Sequence, residues 1–207
     1  WQWFAKNELK LYNALYEFHQ WTDAAPHQTP RPFLDVCAKR LKRINPLLTY
    51  EFFLLKDDHH RFVCQISAGG RKEAFPTVTE VVNQASTSAL FYFKAFKAAH
   101  ETPKELLDMS LGHGNSSLPI KDIYYRYIKD ENELLSLYIY IKKYDGDAEE
   151  TLRKIYFILD KVIGEYDTAT RIGGITLYKL QEKKGLRPLV DLASEIKTDM
   201  VSEPILL

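Results

Sequence analysis

"DIYYRYIKDENELLSLYIYIK" (Asp122–Lys142) is the stretch on which the fold turns. Each half alternates its side chains with a period of two, the repeat of a β-strand and not of a helix. Asp130, Glu131 and Asn132 break the pattern between them, so the two halves read as a β-hairpin. Closing that turn pairs Tyr124 with Ile139, Arg126 with Leu137 and Ile128 with Leu135. The opposite face then holds Ile123 with Tyr140, Tyr125 with Tyr138, and Tyr127 with Ser136. In this reading Tyr125, Tyr127, Tyr138 and Tyr140 share one face. They form a contact surface for another protein if the sheet is covered on one side only, as antiparallel sheets often are.

Working outward, "LLTYEFFLLK" and "RFVCQIS" flank Asp57, Asp58, His59 and His60 and give a second hairpin. Its expected pairs are Leu55 with Phe62, Phe53 with Cys64 and Glu51 with Ile66. On the other face lie Leu54 with Val63, Phe52 with Gln65 and Tyr50 with Ser67. Both faces are substantially apolar, which places this hairpin centrally, with Glu51 directed alongside Phe53 and Leu55 and needing a partner. "ALFYFKAFKA" (Ala89–Ala98) and "RIGGITLYKL" (Arg171–Leu180) supply further strands.

Helical spacing of apolar residues predicts helices over 1–21, 33–43 and 76–85. A fourth, "DAEETLRKIYFILDKVIG", has Asp147 as N-cap, two acidic residues in its first turn and Gly164 after its last. Its expected buried stripe is Leu152, Ile155, Tyr156, Leu159, Val162 and Ile163. "DAAPHQTPRP" (Asp23–Pro32), with three prolines, is a loop. The fold class that follows is α+β: an antiparallel or mixed sheet built from two hairpins plus further strands, helices mainly on one face, and an N-terminal helical pair. The expected organisation is a helical segment over 1–46 and an α+β domain over 47–207, together one compact unit.

Composition limits function more than it defines it. The 207 residues are 45% hydrophobic and 27% charged, the profile of a globular chain with a core. Twenty-eight Lys and Arg balance 28 Asp and Glu, so no net field draws in nucleic acid or anionic lipid. No apolar run is long enough to span a bilayer. Cys37 and Cys64 lack metal-ligand spacing and are too few for a disulfide framework, which favours a reducing, cytoplasmic setting. The chain opens on Trp1 and not on Met, and a removed leader would leave such a start.

Three stretches together carry a resemblance: "ISAGGRKEAFPTVTEVVNQA", "DIYYRYIK" with "LSLYIYIKKY", and "LDKVIGEYDTATRIGGITLYKL". The combination resembles an uncharacterised bacterial domain family in which a strand ends in Ser-Ala-Gly-Gly, a Phe-Pro follows, and a later helix runs into Gly-Glu-Tyr-Asp. The similarity covers roughly Leu47–Asp191. It implies the order of elements and no activity.

Candidate sites are few. Gly69 and Gly70, followed by Arg71, lie between a strand and a helix, where backbone N–H groups can cradle an anion. Neither phosphate-loop nor dinucleotide spacing is present, and Pro76 holds the helix start several residues beyond the glycines. A turn needing positive φ is the plainer reading. Glu165 and Asp167, with His113 from a Gly-flanked loop, would be the acid–base groups of a small hydrolase. Alternating acidic residues after a helix are also ordinary turn chemistry. No pattern specifies a cofactor or a metal. The favoured reading is a non-enzymatic binding or regulatory module with a protein partner, and a homodimer through the tyrosine face or first helix is a further one.

Overall fold

The structure is a computed structural model, and it describes residues 1–20, 30–55, 60–114, 117–144 and 146–196. The class is α+β. The chain divides into two compact units, Trp1–Phe96 and Lys97–Leu207, a different partition from the helical lead-in and α+β body expected. The hairpins also belong to separate sheets and not to one.

In the first unit, α1 (Gln2–Gln20) and α2 (Arg31–Ile44) precede β1 (Thr49–Leu54) and β2 (Phe62–Ser67). Then come α3 (Phe75–Asn83) and β3 (Phe91–Ala95). Strand order is β1-β2-β3, with β2 antiparallel to β1 and parallel to β3. Parallel neighbours need a crossover, and α3 provides it. The middle strand is buried at every position, whereas β1 alternates exposed and half-buried residues as an edge strand does. One sheet face carries Phe52 and Leu54, Phe62, and Phe91 and Phe93, and these pack with Phe4, Leu11 and Leu15 of α1. The rings meet edge to face, with centroids 5.0 Å apart for Phe4–Phe91 and 5.2 Å for Phe4–Phe93, a favoured aromatic geometry.

The register of this hairpin lies one residue from the expected one. Phe52 faces Cys64, Leu54 faces Phe62 and Glu51 faces Gln65. A one-residue slip exchanges faces, and Glu51 is consequently exposed, with Thr49 and Phe53, and not buried. The turn runs between Leu55 and Arg61, joined by a Leu55 N–H bond to the Arg61 carbonyl at 2.9 Å. Asp57, Asp58 and His59 lie outside the described residues, and His60 is exposed. The Asp23–Pro32 loop also falls mostly outside them, but α2 begins at Arg31 with Pro32 in its first turn, where a missing N–H costs nothing.

The second unit opens with short turns and the two-residue strands β4 (Ser110–Leu111) and β5 (Leu118–Pro119). It continues through β6 (Ile123–Lys129), β7 (Leu135–Ile141), α4 (Ala148–Ile163), α5 (Glu165–Arg171), β8 (Ile172–Lys179) and β9 (Arg187–Pro188). Its sheet runs β8-β7-β6-β9, with β8 parallel to β7 and the other pairs antiparallel. Asp147 caps α4 by accepting from the Glu150 N–H at 3.0 Å, and Gly164 ends it at φ +90°. The buried stripe of α4 is Thr151, Ile155, Ile158, Leu159, Val162 and Ile163, while Tyr156 is exposed, because the helix is rolled to bring Ile158 inward. Gly164–Arg171, expected as a loop, becomes a separate helix after a sharp bend at the glycine.

Candidate functional site

The tyrosine hairpin is where sequence and structure differ most usefully. Lys129 pairs with Leu135, so the register again lies one residue from the expected one. The cause is the turn. Asp130 Oδ1 accepts from the N–H groups of Asn132 (2.8 Å) and Leu134 (2.9 Å), and Glu133 adopts a left-handed φ of +60°. A three-residue loop closed by a left-handed residue is a standard hairpin, normally marked by Gly or Asn at that point. Here Glu133 holds it, and the sequence carries no flag.

The slip re-sorts the tyrosines. Tyr125 and Tyr127 point to the core face with Leu137 and Ile139, and Tyr125 is 1% exposed. Burial pushes the Tyr125 phenol above its ordinary range, and its hydroxyl has no hydrogen-bond partner among the described residues. They cannot form one surface with Tyr138 and Tyr140, as the sequence predicts. The opposite face instead presents cross-strand rows: Tyr124–Tyr140–Tyr178 and Arg126–Tyr138–Thr176, followed by Ile128–Ser136–Gly174. None of these described strand positions is acidic.

The rows are organised by stacking. Tyr178 lies near-parallel to Tyr140 at 5.2 Å and to Tyr138 at 6.3 Å between centroids. The Arg126 guanidinium sits 5.1 Å from the Tyr138 ring and 5.8 Å from that of Tyr140, and Lys183 stands 4.5 Å over Tyr124. Cation–π contacts of this kind fix long side chains without neutralising them. Tyr178 is 41% exposed, Arg126 and Thr176 are exposed, and Tyr124, Tyr138 and Tyr140 are half-buried. The face is therefore accessible, aromatic and cationic. A β-bulge at Leu135/Ser136 sets β8 into this register, and Gly173 lies close to the neighbouring strand there, since a Cβ would meet Leu134 Cβ at 3.0 Å.

The candidate acid–base residues have other work. Glu165 is 0% exposed; its Oε2 accepts the Lys97 N–H at 3.0 Å, while its own N–H donates to the Lys97 carbonyl at 2.8 Å. Gly164 permits that approach, since its Cβ would lie 3.3 Å from both Ala99 N and the Lys97 carbonyl. The Gly-Glu-Tyr-Asp motif is thus a clasp on the 97–99 segment. Asp167 Oδ1 instead pairs with Arg171 Nε at 2.9 Å, one turn along α5. Residues two apart on a helix point in different directions, and His113 sits exposed in a loop. The three do not converge.

Asp160 carries no mark in the sequence. Burial, and then the Glu165 carboxyl beside it, raise its pKa from 3.8 to about 6, against the opposing pull of Lys97, Thr168 and Lys161. The Thr168 hydroxyl lies near enough to temper that rise, although it makes no hydrogen bond of good geometry. Perturbed carboxyls can mark catalytic sites, but the neighbour of half-buried Asp160, Glu165, is closed to solvent and already holds the Lys97 N–H, so the two do not form an open acid–base pair.

Gly69 (φ +61°) and Gly70 (φ +77°) make the turn after β2. The Gly69 N–H is occupied by Ser67 Oγ at 3.0 Å, Arg71 N–H reaches back to the Ala68 carbonyl at 3.3 Å, and α3 starts only at Phe75. These contacts favour a chain reversal over an anion cradle. Cys37 and Cys64 are free, and burial raises the Cys37 thiol to about 11 and the Cys64 thiol still further. Among the described residues no cluster of His, Cys, Asp and Glu is arranged to hold a metal, and no helix is long and apolar enough to cross a membrane. No family model, no curated protein and no solved structure matches the chain.

Proposed function

We propose that this chain is a non-enzymatic binding module whose four-stranded sheet receives a polypeptide partner through an acidic segment. The observation that carries this reading is the outward pair of rows Tyr124–Tyr140–Tyr178 and Arg126–Tyr138–Thr176. Tyrosine gives large contact area and a hydrogen-bonding tip at small entropic cost, and Tyr and Arg are the residues on which binding energy concentrates. Arg126 and Lys183 stack on this face, and no described strand position there is acidic, so the complementary partner is negative. Two cations suit a few carboxylates. A nucleic acid would call for many more phosphate contacts, and the chain as a whole is balanced at 28 basic and 28 acidic residues. The dispersal of Glu165, Asp167 and His113 argues against the hydrolase alternative, and two free cysteines suit the cytoplasm.

The test is selection from a random displayed peptide library, followed by affinity measurement with Arg126→Glu and Tyr140→Ala variants. Enrichment of Asp- and Glu-containing peptides, with binding weakened at least tenfold by either substitution, is the expected result. No enrichment, peptides indifferent to both substitutions, or tighter binding of single-stranded oligonucleotides would each contradict the proposal.

A further inference from the structure

The first unit holds a cavity of about 160 Å³ at the meeting of α1, α2, α3 and β1–β2. Trp1, Trp3, Tyr50 and Phe52 supply aromatic walls, and Cys64 and Ile66 lie buried on the sheet behind them. The walls are held from outside. The Trp1 indole N–H donates to the Val81 carbonyl at 2.9 Å, and the Tyr50 hydroxyl donates to the Leu34 carbonyl at 2.5 Å. Both polar tips are therefore satisfied, and the lining is mostly apolar. The rim is exposed at Arg40, Ile44 and Gln84, which gives a way in.

Among the described residues lining this space, Arg40 carries the only charged side chain. Its guanidinium lies 5.3 Å from the Trp3 ring centroid and has no carboxylate partner among the described residues. Stacking on an indole orients a guanidinium while leaving its N–H fork free for an incoming acid. The volume matches a single small ring: an engineered apolar cavity of about 150 Å³ binds benzene.

We infer that the cavity binds a small hydrophobic carboxylate, with an aromatic or branched body between Trp3 and Cys64 and its acid group on Arg40. Mostly apolar walls supply the binding energy and one cation at the mouth fixes the orientation, which is the usual division of labour in a ligand site. This site is independent of the sheet face in the second unit.

The test titrates the protein with phenylacetate, its neutral amide phenylacetamide and 2-phenylethylamine, following the indole N–H resonances of Trp1 and Trp3. Saturable shifts are expected, with the acid bound about tenfold more tightly than the amide and the amine weakest. Arg40→Gln, an exposed position, is expected to remove the preference for the acid and leave amide binding unchanged. Saturating phenylacetate is also expected to slow iodoacetamide labelling of Cys37, which lines the same space. Absence of saturable binding overturns the inference, as does equal binding of acid and amide, or an acid preference that survives Arg40→Gln.

Discussion

Replacing Asp160 by Asn should stabilise the protein, and only above the pH at which the aspartate ionises. The carboxyl has a folded-state pKa of about 6 against 3.8 when free, chiefly because burial and then Glu165 oppose its charge. Between those values the folded chain binds more protons than the unfolded one, so stability falls as pH rises through this window and levels off above it. At about 1.4 kcal/mol per pH unit the full penalty is at most about 3 kcal/mol. Asp160 is only partly shielded from water, and screening reduces this to about 1–2 kcal/mol. Asparagine keeps the shape and can never charge. Urea denaturation of both proteins at pH 3 and pH 7.5 measures the effect. The midpoints should coincide at the lower pH, and the variant should gain about 1–2 kcal/mol at the higher, raising Tm by roughly 4 °C. A difference independent of pH, or a variant less stable at pH 7.5, would refute the assignment of the penalty to this carboxyl.

Other substitutions probe the rest of the second unit. Gly164→Ala forces a Cβ into a backbone at φ +90° and to within 3.3 Å of the Lys97 carbonyl, and should cost about 2–3 kcal/mol by denaturation; an unchanged midpoint would remove the clasp. Tyr125→Phe deletes a buried hydroxyl that has no partner among the described residues, and should be neutral or stabilising by up to about 1 kcal/mol. A loss of stability there would mean that the hydroxyl is bonded.

Much of the architecture is legible in the sequence because it rests on local chemistry. Asp147 and Gly164 mark the ends of α4 as a cap and a stop should, and the period-two runs locate both hairpins. Register is not legible, because it depends on which turn residue goes left-handed. Glu133 does so without the Gly or Asn that would announce it, and that one residue moves Tyr125 and Tyr127 inside. A glycine after a helix usually opens a loop, but Gly164 bends the chain into a second helix. The cavity is hidden for a different reason. Trp1, Cys37, Arg40, Tyr50, Cys64 and Val81 come from four elements and the residue before α1, with no spacing to connect them. Asp160 is likewise unmarked, since its surroundings are set by Glu165 and Lys97 after folding.

The most direct measurement is a map of the tyrosine ring resonances while an acidic peptide from the library selection is titrated in. Tyr124, Tyr138, Tyr140 and Tyr178 should shift together and saturate at one affinity, while the buried Tyr125 stays still. Shifts at Tyr125, or a footprint confined to the first unit, would contradict the claim that the open sheet face is the binding surface.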